Sequence, residues 1–313
     1  MKDMIYKRIV VYDTGRKRTS NITRQFAQGI NESGTRWTAE SRPIANYHEE
    51  GLHGDIAAVA TLGILRGTGL MLQDAASKNI SRYYIDHAYF NPGYGGKCWL
   101  RICHNRHTMN WTMETGDDPV LTERLRRRWK ENFKRGNQVT LWRSRNERGE
   151  NILICPPTNA IEWYFKEDNW VNTIIAQLKE ILNENDWRLI RVRNKPQEPV
   201  VDKLGNLIRL QKNKGDISLE EDLENANVVI SYNSMVSLTA LKKGIPVITS
   251  KHNCCYPVSF KLADLLEPER FEIEPNRAAL FRWLSGCQYN LSEIRDGLAW
   301  KDILEQQKNA SHN

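Results

Sequence analysis

The sequence predicts an α/β protein built as two similar halves. Three observations carry that prediction. Short β-branched and aromatic runs alternate with stretches of helical periodicity along the chain. The 313 residues are about twice the length of an ordinary domain. A polar, glycine-punctuated stretch, NQVTLWRSRNERGE at 137–150, lies near the middle, where a boundary is expected. The division predicted is 1–148, 149–290, and a terminal helix with its tail at 291–313.

In the first half, KRIVVYDT reads as a strand, followed by Gly15 and the basic triplet Arg16, Lys17 and Arg18. Ser20 or Asn21 is placed to cap a helix through RQFAQGIN. IAAVATLGIL is a buried-type run, GLMLQDAASKN a helix at about 69–79, and RYYIDHAYF a strand. NPGYGG is a turn cluster, and KCWLRICHN is the next strand. In the second half NILICPP is a strand, WVNTIIAQLKEILNE a helix at 170–184, WRLIRVR a strand and NKPQEP a loop. Asp216 or Ser218 caps SLEEDLEN. Strand NVVISYN, helix SMVSLTALKKG and strand IPVIT follow. Gly244, just after Lys242 and Lys243, is a helix stop, since glycine accepts a left-handed turn and cations suit the negative helix end. LSEIRDGLAWKDILEQQ reads as the terminal helix, and SHN as fraying.

Composition narrows the class. The chain is 40% hydrophobic and 27% charged, an ordinary globular balance that excludes disordered and collagen-like chains. No run approaches the roughly 20 apolar residues of a membrane span. MKDMIYKRIVVYD lacks the pattern of a secretory signal, and six cysteines spread thinly over the chain suit a reducing compartment. A cytoplasmic protein is therefore expected.

The net charge is +7, and residues 121–148 account for all of it, with ten basic residues against three acids. One reading is a solvated helix face followed by a charged linker. The other is a phosphate-binding surface for an anionic polymer, made by Arg124, Arg126, Arg127, Arg128, Lys130, Lys134 and Arg135. The interleaved Trp129, Phe133 and Trp142 suit base stacking. Leu125, Trp129 and Phe133, however, fall at i, i+4 and i+8, the spacing of a buried helix stripe.

Candidate chemistry lies at strand ends. Strand NVVISYN runs into Ser231, Asn233 and Ser234 just before a helix opens, where free N–H groups and hydroxyls suit a phosphate, or where the same residues simply cap. Asp86 ends a strand and is a candidate general base, as is His87, with a reference pKa nearer neutrality. His53 and Asp55 in GLHGD form a second pair of candidates, near enough in this reading to share a site with Asp86. Arg191, Arg193 and Lys195 share a face if their strand continues, and suit a diphosphate leaving group. No GxGxxG, P-loop or GxSxG pattern is present. Cys98, Cys103, His104 and His107 have the wrong spacing for a usual zinc site, so no metal is expected.

Three of these segments, in this order over residues 80–250, carry a resemblance. RYYIDHAYF stands where an acidic motif would, RVRNKP with Lys195–Pro196 where a His-Pro motif would, and SYNS before TALKKG for a hydroxyl pair at a helix start. The pattern resembles the GT-B glycosyltransferases, especially the capsule Kdo-transferase and bacterial sialyltransferase group. The resemblance implies two Rossmann-like domains facing across a cleft, a nucleotide sugar as co-substrate, no tightly bound cofactor and no metal. It implies Asp86 or His87 as base, with Ser231, Asn233, Ser234, Arg193 and Lys195 holding the leaving phosphate. IDHAYF and RICHN are also similar to phage-encoded glycosyltransferases that modify hydroxymethylated bases. With the basic segment expected on the acceptor side, the acceptor predicted is DNA and the compartment the host cytoplasm. A capsule or lipopolysaccharide transferase, its basic patch meeting anionic lipid, is the rival enzyme reading. A non-catalytic nucleic-acid-binding protein on the same scaffold is the other.

Overall fold

The computed structural model describes residues 6–93, 99–108, 119–133, 139–212 and 217–310. The chain is mixed α/β with largely parallel sheets, and divides into two compact units. One comprises residues 1–111, 203–206 and 285–313; the other comprises 112–202 and 207–284. The division therefore falls at 111/112, where the sequence had placed it at 148, and the C-terminal segment returns to the first unit.

The first unit opens with β1 (Lys7–Asp13), α1 (Lys17–Glu32), β2 (Trp37–Pro43), α2 (Ile44–Glu50), β3 (Ile56–Leu62), α3 (Thr68–Ser77), β4 (Ser81–His87) and β5 (Trp99–His104). β2, β1, β3 and β4 are neighbours in that order and parallel. β5 joins β4 antiparallel. Alternate residues of a strand share a face, so Ile9 and Val11 lie beside Ala58 and Ala60. They meet Ile22, Phe26 and Ile30 of α1.

The second unit contains α4 (Pro119–Phe133), β6 (Asn151–Cys155), α5 (Asn159–Phe165), α6 (Trp170–Ile181), β7 (Ile190–Val192), β8 (Gln197–Val201), β9 (Leu207–Lys212), α7 (Leu219–Glu224), β10 (Ala226–Ser231), α8 (Val236–Lys242), β11 (Val247–Thr249) and α9 (Arg277–Gly286). Its sheet runs β11-β10-β6-β7, all parallel. β8 and β9 pair as a separate hairpin, where the sequence had predicted a loop at NKPQEP. Gly205, with φ +76°, lies between them, and Pro199 is accommodated because the hairpin has only two strands.

The stretch 137–150 is not a linker where it is described. The Thr140 amide donates to the Lys242 carbonyl at 2.8 Å and the Arg143 amide to that of Gly244 at 3.1 Å. Gly244 has φ +74°, and a Cβ there would lie 2.1 Å from the Leu141 carbonyl oxygen. This glycine both stops α8, as predicted, and admits the neighbouring chain.

The chain ends in the first unit with β12 (Gln288–Asn290), antiparallel to β5, then α10 (Leu291–Arg295) and α11 (Leu298–Ala310). Trp300 of α11 is fully buried and packs edge-on against Phe26, Trp37 and Tyr83. A core whose largest side chain comes from Trp300 ties α10 and α11 into the first unit.

Candidate functional site

In the first unit the loops after β1, β3 and β4 lie side by side at the carboxyl edge of the parallel strands, the usual ligand-binding edge of such sheets. Asp86 and His87 end β4 there. The Asp86 carboxylate accepts from Tyr84 Oη and Arg101 Nη2, each at 2.8 Å, and from the His87 amide at 2.7 Å. Arg101 Nη1 donates to the His87 carbonyl at 2.9 Å. Asp86 and Arg101 thus grip both sides of His87's main chain. Arg101 comes from β5, directly opposite Asp86 in the antiparallel register, which is how the sequence brings the pair together. Its guanidinium also lies over the rings of Tyr84 and Tyr89.

Arg101 is 4% exposed, whereas the Asp86 side chain retains 24%. Burial pushes the Asp86 carboxyl up, but Arg101, then His107, the His87 amide and the Tyr84 hydroxyl more than offset it and hold the group below its ordinary value. Asp86 is therefore ionised, hydrogen-bonded on both oxygens, and a weak proton acceptor. Nothing at the sequence level marked Arg101 or Tyr84 beyond the alternation that sets Tyr84 and Asp86 on one face.

Asp55 and His53 are not part of this edge. Asp55 immediately precedes β3, at the opposite end of the strands from Asp86. It is exposed and paired with Arg8, whose hydrogen bond lowers its carboxyl. His53 is exposed and lies 3.4 Å from Glu50. The sequence expected one site to hold Asp86 and this pair; the direction of the strands separates them.

In the second unit Ser231 ends β10 fully buried. Its hydroxyl pairs with Ser237 at 2.5 Å and accepts from Asn253 Nδ2 at 3.1 Å, so it is not presented to a ligand. Asn233 and Ser234 are half-buried in the following turn. Ser234 Oγ accepts from the Val236 amide at 3.3 Å, a contact within the turn, since Met235 is the N-cap of α8. α8 has seven residues, two turns at most, so its macrodipole is a weaker phosphate anchor than the sequence implied.

The turn is tied down by residues that sequence reasoning did not single out. Asn253 Nδ2 also donates to the Ser234 carbonyl at 3.1 Å, and Ser250 Oγ to the Tyr232 carbonyl at 2.8 Å. His252, 4.2 Å from the Phe165 ring, lies beside Tyr232. Burial, then Lys251, lowers its imidazole, so it is neutral at pH 7. The signal was there in the polar run SKHN, directly after strand IPVIT.

Arg193 pairs with Asp222 and donates to the Ile217 carbonyl, so its charge is matched within the unit. Lys195 is exposed and lies near enough to Glu198 to oppose the rise that burial imposes on that carboxyl. Arg191 is exposed on β7.

The basic segment belongs to the second unit, with the candidate turn of β10, and not to the unit of Asp86. Arg128 is buried. Arg126 pairs with Glu123 at 3.0 Å. Arg143 grips Glu224 with two bonds of 2.9 Å. Arg148 is buried, bonded to Glu272, Asn227 and the carbonyls of Arg143 and Phe271. Arg127 and Lys130 are exposed. The Arg124 side chain, Lys134 and Arg135 lie outside the described residues. Trp129 stacks on Phe281 and Trp142 Nε1 donates to the Phe271 carbonyl, so both rings are engaged in packing. The buried-stripe reading of Leu125 and Trp129 fits; the Phe133 side chain is not described.

Among the described residues no three His, Cys, Asp or Glu side chains are placed to hold a metal ion, and no helix is long and apolar enough to cross a membrane. Cys98 lies outside the described residues, and Cys103 is buried.

No family model and no curated protein matches the chain. Among solved structures it is similar to the beta Kdo 2,7 transferase of Thermosulfurimonas dismutans KpsC, at 13% identity over 94% of this chain and 99% of that one, with a TM-score of 0.42. It is also similar to the beta Kdo 2,4 transferase of KpsC from the same organism, at 13% identity over 94% and 98% of the two chains, with a TM-score of 0.38.

Proposed function

We propose that the chain is a GT-B glycosyltransferase that moves a sugar from a nucleotide sugar to a saccharide hydroxyl, as in capsule or lipopolysaccharide assembly. The observation that carries the reading is the clamp on His87 at the carboxyl end of β4. A main chain held on both sides by an ion pair gives its side chain a defined position, which proton transfer requires. In this reading the His87 imidazole accepts the proton of the acceptor hydroxyl as its oxygen bonds to the anomeric carbon. The nucleotide leaves with the electron pair of the broken glycosidic bond. Asp86, already satisfied by three donors, is a positioning residue for His87 rather than the base. Asn233, Ser234 and Lys195 are assigned in this reading to the leaving phosphate. Ser231 and Arg193 act through the folding of the unit.

The GT-B arrangement proposed here rests on the two α/β units and on the resemblance of RYYIDHAYF, RVRNKP and SYNS to that family. A saccharide acceptor is preferred to DNA because much of the basic segment is occupied within its own unit: Arg128 and Arg148 are buried, and Arg126 and Arg143 are paired with carboxylates. The test is incubation with a panel of nucleotide sugars and two acceptor classes, saccharides and hydroxymethylated duplex DNA, read by mass. A sugar added to a saccharide supports the proposal. A sugar added only to DNA overturns the acceptor, and the absence of any transfer overturns the activity.

A further inference from the structure

The basic triplet after β1 takes no part in the site described above. Arg16 precedes α1, and Arg66 lies in the loop between β3 and α3. β1 and β3 are adjacent parallel strands, with Tyr12 opposite Thr61, so the two loops emerge side by side at the carboxyl edge of the sheet. We propose that Arg16 and Arg66 form an oxyanion-binding site at this edge, built for the phosphoryl group of a ligand.

Four observations support the site. First, neither guanidinium makes a hydrogen bond or an ion pair among the described residues. By contrast, Arg42, at the carboxyl end of β2, is paired with Glu40 and Glu50. Second, Arg66 is half-buried. Burial, then the charge of Arg16, lowers its guanidinium below the ordinary value, so the two cations oppose each other. Two like charges this close are costly, and an anion seated between them adds two attractions that outweigh the one repulsion.

Third, the loop is built and not slack. Asp13 Oδ1, the nearest carboxylate in sequence, accepts from the Gly15 amide at 2.7 Å and from Ser20 Oγ at 2.6 Å, which occupies that oxygen within the loop. Thr19 Oγ1 donates to the Arg16 carbonyl at 2.9 Å, fixing the residue's main chain. Arg66 is held in the left-handed region at φ +65°, between Leu65 and a second left-handed residue, Gly67, against which His48 packs. Fourth, the floor is open. Gly15, which is exposed, and Gly63, both with positive φ, have no atom beyond their chain neighbours within 4 Å of where a Cβ would stand. The planar forks of two arginines suit the several oxygens of a phosphoryl group better than the two of a carboxylate.

The site is read by binding alone, so its failure leaves the transfer reading untouched, and the converse holds. Calorimetry with inorganic phosphate tests it on the full chain, with acetate as the carboxylate probe. Arg16→Gln is one variant. Arg66→Asn is the second, because asparagine accepts the left-handed conformation. Arg127→Gln, an exposed arginine elsewhere, is the control, and circular dichroism checks that every variant folds. Each site variant should weaken phosphate at this site roughly tenfold, the loss of one charge-assisted contact, and the double variant should abolish this site's binding, leaving only what Asn233, Ser234 and Lys195 hold. The control should bind as the parent does. Equal phosphate affinity in parent and folded double variant overturns the site, as does a parent that binds no phosphate at millimolar concentration. Acetate binding as tightly as phosphate overturns the phosphoryl class.

Discussion

Arg101 is 4% exposed and fully charged, a state that persists only because Asp86 answers it at 2.8 Å. Burial works against the guanidinium, yet Asp86, with the tyrosines around it, raises it above its ordinary value. Removing one partner leaves the other uncompensated. Arg101→Met should cost about 3 kcal/mol of stability in urea unfolding, while an exposed change such as Arg127→Gln should cost little. His104, stacked on Tyr83, provides a pH signature. Burial, with Arg82 adding, pushes its imidazole down to about 4. Between pH 6.5 and pH 4 the unfolded chain binds a proton that the folded chain refuses, so this residue's contribution falls as pH falls through that window. The protein should unfold at lower urea at pH 5 than at pH 7, and His104→Gln should flatten the difference. An unchanged slope in the variant would remove His104 as its source. Asp86 adds to the same trend further down: its lowered carboxyl stabilises the folded state above its unfolded pKa and ceases to do so as it protonates in acid.

At the scale of elements, the most demanding approach among the described residues is that of α1 to α10. A Cβ on Gly29 would stand 1.9 Å from the Ile294 carbonyl oxygen, and that atom belongs to backbone that cannot step aside. Gly29→Ala should destabilise by about 3 kcal/mol, against the few tenths gained where a helix glycine is free, and a stability equal to the parent's would contradict the packing. Strands β1, β6 and β10 were legible in the sequence because each is an unbroken apolar run bounded by polar turns. β2 was not, since WTAESRP on the sheet's edge carries charges on its open face. The β8–β9 hairpin was obscured by the prolines at its start and by the exposed Ile208 and Leu210, which lack a covered face. Ser231 was read as a ligand donor because a hydroxyl at a strand end looks the same whether it faces a phosphate or a buried serine. Its partners, Ser237 and Asn253, are 6 and 22 residues away.

At the scale of the molecule, the +7 charge was correctly located in residues 121–148 but not correctly valued. Sequence counts charges; only packing shows that Arg148 is bonded to Glu272 and Arg143 to Glu224. With those cations engaged inside the second unit, duplex DNA should bind weakly. Reversing Arg126, Arg127 and Lys130 to Glu should leave transfer to a saccharide unchanged; a tenfold loss of transfer would put this face back in the site. The central claim is that His87, held by Asp86 and Arg101, takes the acceptor's proton. Its most direct test is sugar transfer from the active nucleotide sugar by the parent and by His87→Gln, with both shown folded. His87→Gln should lose roughly a hundredfold or more in kcat with donor affinity retained. Turnover at the parent's rate in His87→Gln would contradict it.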